Sequence, residues 1–256
     1  MLQRARHAEI MRRVRLAGAT SVRELAAQFG VSPSTIRRDL RALDRDGTLR
    51  RVRGGALADA EPHAEPRGEP PGEPAASGAD ADEEAVAARA AALVGDGDVV
   101  LLDVGTATTR LARHLRGRPV TVVTSSVAVL DVLRGDPAVE MLLLGGMLRR
   151  ARHSLVGVLT EQALRQVSAD HVFLSAGGVR PDGRVTDSAR AEVPLKRAMM
   201  AAAGQVVLLV DRHRFPGTGP LRVCGPDEVD IVVTNDGADE ATLRALGAAG
   251  ARVLLT

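Results

Sequence analysis

Val31-Ser-Pro-Ser-Thr-Ile-Arg-Arg-Asp-Leu-Arg-Ala-Leu-Asp-Arg45 is the stretch around which this 256-residue chain is organised. Pro33 suits the first turn of a helix, where its missing amide hydrogen has no intrahelical partner, and Ser32 can cap that start. Ile36, Leu40 and Leu43 recur at the helical period and predict an apolar face. Ser34, Thr35, Arg37, Arg38 and Arg41 are left on the free face, with Asp39 as its acid. Arginine offers two donors at once to a phosphate or a guanine edge, so such a face suits a polyanion groove. A merely solvated charged face is the alternative.

The flanking residues favour the groove. Arg4 to Leu16 carries Ile10, Val14 and Leu16 at roughly helical spacing, Gly18 breaks it, and Thr20 or Ser21 can cap a second helix over Val22 to Phe29. Gly30-Val31 supplies the tight connection between the second and third helices of a helix-turn-helix. Gly47 to Gly55 then reads as a short basic ribbon, with Arg51 and Arg53, placed as a wing beside the recognition helix. Charge follows the same division. Residues 1–56 hold 13 Arg against 5 acids, while residues 57–84 hold 1 Arg against 9 acids, so the overall net charge of +2 conceals a strongly basic head.

Residues 1–56 resemble the winged helix-turn-helix of the DeoR family of bacterial transcription regulators, through V-S-x-x-T-I-R-R-D-L and R-x-H-G-G-A, with Arg53 standing at the usual His. On that resemblance Ser32, Ser34, Thr35, Arg37, Arg38, Arg41, Arg51 and Arg53 are the expected contacts to double-stranded operator DNA.

Residues 57–82, dense in Pro, Gly and Glu, read as a flexible acidic linker. From Glu83 to Thr256 short apolar runs alternate with helical stretches. Strands are predicted at 99–104, 120–124, 141–144, 171–175, 206–210, 231–234 and 253–255. Apolar runs without polar alternation are what strands buried on both faces look like, so the fold class is α/β with a mostly parallel sheet. Ligands bind such sheets at the carboxyl ends of strands. That rim carries Asp103, the Gly105-Thr106-Ala107-Thr108-Thr109 loop, Ser125, Gly145, Gly146, Asp211 and Arg214. Free amides and hydroxyls at a helix start suit a phosphate, whereas Asp103 suits sugar hydroxyls. Lys196 is the sole lysine of the chain. If Pro194 opens its helix, Lys196 sits at the end where cations are disfavoured and an anion would offset the conflict. If the helix starts near Ser188, Lys196 is a solvated mid-helix cation. Glu192 lies beside it in sequence. His213 with Asp211 lacks further metal ligands, and no metal or cofactor is expected.

Residues 84–256 also resemble the DeoR family, through D-x-G-T-x-T, Leu144-Gly145-Gly146, Ser154-Leu-Val-Gly157, Gly177-Gly178, the Glu192 to Met199 segment and Thr234-Asn235-Asp236. Ala107, Ser125 and Arg214 depart from the family pattern. The resemblance implies a fold similar to ribose-5-phosphate isomerase and the coenzyme-A transferases, and a non-enzymatic repressor of sugar-metabolism genes that binds a phosphorylated sugar. The alternatives are retained isomerase-like catalysis and a domain that only oligomerises. A homo-oligomer is expected, with no membrane partner. One cysteine, no charged-then-apolar leader and no long apolar run point to a cytoplasmic protein.

Overall fold

The computed structural model describes residues 6–7, 10, 19–45, 50–52, 55–57, 77–217 and 219–256. The chain divides into two compact units, Met1–Gly68 and Glu69–Thr256.

In the first unit Arg6, His7 and Ile10 are helical, and the rest of the predicted first helix lies outside the described residues. Helices Val22–Phe29 and Pro33–Arg45 follow. Of the two candidate caps, Ser21 is the one used. Its hydroxyl accepts from Glu24 N at 3.1 Å, while the Glu24 carboxylate accepts from Ser21 N at 2.8 Å. Gly30 closes that helix at φ 63°, a left-handed conformation that side chains strain to adopt. Ser32 caps the next helix, its Oγ accepting from Thr35 N at 3.2 Å. Ile10, Leu25, Ile36 and Leu40 are fully buried at the centre of the unit. The strand pair Arg50–Val52 and Gly55–Leu57 is the predicted wing ribbon, although Arg53 lies outside the described residues. Strand Ala19–Ser21 pairs with Gly55–Leu57 as well, a contact that three residues are too short to announce in sequence.

All seven predicted strands of the second unit are present, in one sheet: Val99–Leu102, Thr121–Thr124, Glu140–Leu143, Ala169–Ser175, Ala203–Leu209, Ile231–Thr234 and Arg252–Leu255. Every neighbouring pair is parallel. Successive residues point to opposite faces, so Val100, Leu102, Val122, Phe173, Val207 and Val233 enter one apolar cluster, and Leu101, Val123, Val172, Leu174, Leu208 and Val232 the other. Helices Ser77–Ala91, Thr106–His114 and Val127–Leu133 cover the first cluster. Val158–Leu164, Val193–Ala201 and Glu240–Ala248 cover the second.

The spatial order is 252–255, 231–234, 203–209, 169–175, 99–102, 121–124, 140–143. The chain therefore winds outward from 99–102 to one edge, crosses back, and winds outward from 169–175 to the other. The reversal lies between 99–102 and 169–175, and a doubly wound sheet opens its ligand crevice at the carboxyl ends of such a pair.

Two local readings are corrected. The first helix of this unit begins at Ser77, not Glu83, because tertiary partners hold residues whose composition reads as linker: Asp80 pairs with Arg110, and the Asp82 carbonyl accepts from Asn235 Nδ2 at 3.0 Å. Leu57 belongs to a wing strand. The antiparallel pair Met147–Arg149 and Ser154–Val156, and the small sheet of Gly178–Val179, Val185–Asp187 and Leu221–Cys224, were not foreseen, since strands of two to four residues carry no readable period. Among the described residues no helix is long and apolar enough to cross a membrane.

Candidate functional site

The head presents the helix face that the sequence predicts. Ser32, Ser34, Arg37, Arg38 and Arg41 are exposed, Thr35 is half-buried, and Ile36, Leu40 and Leu43 are buried. Asp39 is the exception. Read as the acid of the free face, it is 2% exposed, accepting from Arg6 Nε at 2.6 Å and Nη2 at 3.2 Å, with His7 Nε2 at 3.1 Å. The pairing ties the first helix to the recognition helix and turns the Asp39 carboxylate inward, away from the exposed side chains between Ser32 and Arg41. Burial would raise the Asp39 carboxyl, but hydrogen bonds from Arg6 and His7 outweigh it and hold it below the ordinary 3.8.

Asp39→Ala should destabilise the head by about 2 kcal/mol, the scale of charge-assisted hydrogen bonds lost with a charge left behind. Because the folded value is depressed, the wild-type contribution is present above the unfolded carboxyl value and disappears as pH falls through the folded one. Melting curves of both chains should therefore converge in acid, and a constant gap at all pH values would remove Asp39 from this role.

In the second unit, a buried cluster fills the crevice at the strand reversal. Asp103 follows strand Val99–Leu102, Ser175 ends strand Ala169–Ser175, and Lys196 reaches them from helix Val193–Ala201. Pro194 lies in the first turn of that helix, as the first of the two readings had it, and Lys196 comes just after it. The anions facing Lys196 are the protein's own. Its ammonium, 1% exposed, donates to Asp103 Oδ2 and to the Ser175 carbonyl at 2.8 Å, with Asp187 Oδ2 at 3.5 Å. Burial alone would lower the Lys196 ammonium; Asp103, Asp187 and Glu192 more than offset it and keep the group charged, above the ordinary lysine range.

Asp103 is fully buried and divided in use. Oδ2 also meets the Ser175 amide at 3.1 Å and hydroxyl at 3.0 Å, whereas Oδ1 has no hydrogen-bond partner. Ser125 Oγ is likewise buried and unpartnered. Beside them Glu192, 3% exposed, accepts from Arg149 Nη1 at 2.5 Å and Ser154 Oγ at 3.3 Å. Burial raises its carboxyl above the ordinary 4.5 in spite of Lys196 and Arg149. The ends of four segments thus converge: the carboxyl ends of two central strands, the Met147–Arg149 hairpin strand and the start of helix Val193–Ala201.

Other rim residues are engaged differently from their sequence reading. The hydroxyls expected to face a phosphate donate to protein: Thr106 to Glu83 Oε1 at 2.7 Å, Thr108 to the Asp103 carbonyl at 2.8 Å, and Thr109 to the Gly105 carbonyl at 2.7 Å. What the loop retains is main chain. Gly105 caps helix Thr106–His114 with no side chain, and the first amides of a helix have no intrahelical acceptor. Gly146 makes room for protein, since a Cβ there would lie 2.1 Å from Thr160 Oγ1, which itself donates to the Gly145 carbonyl at 2.7 Å. Asp211 accepts from His213 N at 2.8 Å as a cap and from Arg214 Nε at 3.3 Å, leaving Arg214 on the surface. Ser175, Asp187 and Arg149 were not singled out in sequence. The Ser175 position, two residues before the Gly177-Gly178 segment and at the end of a predicted strand, was the available signal.

Two family models match the chain. Residues 6–61 match the model of the DeoR-like helix-turn-helix domain, and residues 80–236 that of the DeoR C terminal sensor domain. The uncharacterized HTH-type transcriptional regulator YgbI of Escherichia coli K12 is 31% identical over 90% of this chain and 88% of its own. The glycerol-3-phosphate regulon repressor of Haemophilus influenzae is 28% identical over 92% of this chain and 91% of its own. Among solved structures, ribose 5-phosphate isomerase A of Methanocaldococcus jannaschii is 17% identical, with a TM-score of 0.38 over 52% of each chain.

Proposed function

The chain belongs to the DeoR family of transcriptional regulators, and from that premise we propose that it represses sugar-metabolism genes, releasing or tightening its operator when a phosphorylated sugar enters the crevice of the second unit. The observation that carries the effector half is the buried Asp103 Oδ1 without a donor, next to a charged Lys196 and an Arg149 held by Glu192. A buried acceptor left unmade costs free energy that a ligand hydroxyl would recover. Arg149, its side chain 12% exposed, can exchange the Glu192 carboxylate for a phosphate. Main-chain amides at the start of helix Thr106–His114 offer a second anion contact. A molecule with both hydroxyls and a phosphate matches these groups, and one relative is named for a glycerol-3-phosphate regulon.

Asp103, Lys196, Glu192 and Ser125 remain the proposed effector residues at the centre of this reading, with Arg149 added. Gly145, Gly146, Thr108 and Thr109 serve it by shaping the walls. Isomerase-like catalysis is not favoured, because relatives spanning nine-tenths of the chain are named as regulators.

Fluorescence anisotropy on DNA from the region upstream of the protein's own gene tests both halves. Saturable, sequence-dependent binding should shift on addition of one phosphorylated sugar and not of its unphosphorylated form. Coupling between two sites is typically about 1–3 kcal/mol, a shift of roughly 5- to 150-fold in apparent affinity. Operator binding unmoved by every phosphosugar would refute the effector assignment and leave the regulator.

A further inference from the structure

Of the large apolar side chains exposed among the described residues, all but Leu255 fall between positions 142 and 159: Leu142 at 48%, Leu143 at 37%, Met147 at 71%, Leu148 at 49%, Val158 at 71% and Leu159 at 73%. They gather at one edge of the unit. Leu142 and Leu143 end the last strand of the sheet, Met147 and Leu148 follow two glycines later, and the Thr160 hydroxyl bound to the Gly145 carbonyl holds the start of helix Val158–Leu164 against that same turn.

The strand beneath this surface is unusual for its sheet. Consecutive residues of a strand point to opposite faces, so exposure of both Leu142 and Leu143 leaves the two faces bare at the end of Glu140–Leu143, while Met141 packs on the first apolar cluster. Parallel strands are ordinarily covered on both. As the terminal strand it pairs only with Thr121–Thr124, and the main-chain groups of its outer side have no strand partner among the described residues. Natural edges are usually blunted by charge, proline or a covering element. Here the four residues Glu140-Met-Leu-Leu143 offer one acid at the start and nothing further.

We propose that this face, the Glu140–Leu143 edge with Met147, Leu148, Val158 and Leu159, is where a second copy of the chain docks, edge to edge about a two-fold axis. Two features select a second copy as the occupant. A strand meets its own two-fold mate antiparallel, so the unpaired main-chain groups complement themselves without any other sequence. Six large apolar side chains exposed within 18 residues of chain are unlike the singly scattered ones of an ordinary monomer surface, and a standard interface covers ~800 Å² per partner. The interface would bring together two heads, the number that half-sites on one operator require. Met147 and Leu148 share their strand with Arg149, which holds Glu192, so interface and proposed effector crevice are joined by one hairpin.

Sedimentation equilibrium of the full chain at micromolar concentration, compared with Leu148→Glu/Leu159→Glu, tests the proposal. Both positions are exposed, so circular dichroism and melting temperature of the separated monomer should report an intact fold. The wild type is expected to sediment as a dimer or a multiple of it, and the double variant as a monomer that keeps its α/β spectrum and loses binding to a full operator more than to a half-site. A wild type that is monomeric would overturn the proposal and assign the surface to a different partner. A variant that self-associates as tightly as the wild type would overturn it by placing the interface elsewhere. A phosphosugar response retained by a monomeric variant leaves the effector reading standing, so the two fail separately.

Discussion

Replacing Lys196 with Ala should lower the unfolding free energy of the second unit by about 3–5 kcal/mol, the cost of removing one partner from a buried ion pair. The magnitude follows from what stays behind. Asp103 is 0% exposed, Asp187 7% and Glu192 3%, so three carboxylates would share a dry crevice with the nearest cation gone. Set against a typical domain stability of roughly 5–15 kcal/mol, the loss is large enough to unfold part of the population at 37 °C. The chain contains neither Trp nor Tyr, so calorimetry or far-UV circular dichroism in urea is the suitable measurement. Lys196→Met combined with Asp103→Asn should recover part of the stability, because the Asp103 charge is no longer stranded, while Asp187 and Glu192 still lack the ammonium. It should not recover the effector response, since the proposed hydroxyl acceptor and its cation are both gone. A single variant as stable as the wild type would mean that water reaches the cluster.

Arg37→Ala/Arg38→Ala should weaken operator binding by roughly 30-fold or more, since each guanidinium contact to a phosphate or base edge contributes about 1–3 kcal/mol. Both side chains are exposed on the face opposite Ile36 and Leu40, so the head's melting curve should stay in place. Salt dependence separates electrostatic contact from indirect damage. Each phosphate neutralised contributes about 0.9 to the slope of log affinity against log salt, and loss of two contacts should flatten that slope by close to 2. A titration with unaltered slope would exclude this helix face from the DNA backbone. Partial flattening, by about one, would assign one arginine to phosphate and the other to a base edge.

Much of the fold was legible before any coordinates. The seven strands of the sheet announce themselves because strands covered on both faces must be apolar throughout, and Val99-Val-Leu-Leu102 or Ile231-Val-Val-Thr234 admit little else. The recognition helix is equally readable, since a capping Ser32, Pro33 in the first turn and an apolar spacing of Ile36, Leu40 and Leu43 all act within a few residues of chain. Helix Ser77–Ala91 was read six residues short because its first turns are held by Arg110 and Asn235, far along the chain.

The candidate site divides in the same manner. Sequence located the rim with Asp103 on it, because strand ends are local features, and singled out Lys196 because a sole lysine is visible by counting. It assigned their partners wrongly. Thr106, Thr108 and Thr109 look like free donors until their acceptors Glu83, Asp103 and Gly105 are in place, and Asp39 looks like a surface acid until Arg6 packs over it.

Sequence by itself therefore determined the seven strands of the large sheet, that one face of the third helix is cationic, and that strand ends gather Asp103 and Ser125 on one rim. Tertiary structure alone decided that the strand order reverses between 99–102 and 169–175, that Lys196 is charged and saturated by carboxylates, that Arg149 holds Glu192, and that 140–143 is a bare edge. The physical reason is range. Periodicity, capping and turn chemistry act over a few residues, whereas the pairing of Lys196 with Asp103 spans 93 positions and exists only once the sheet has brought them together.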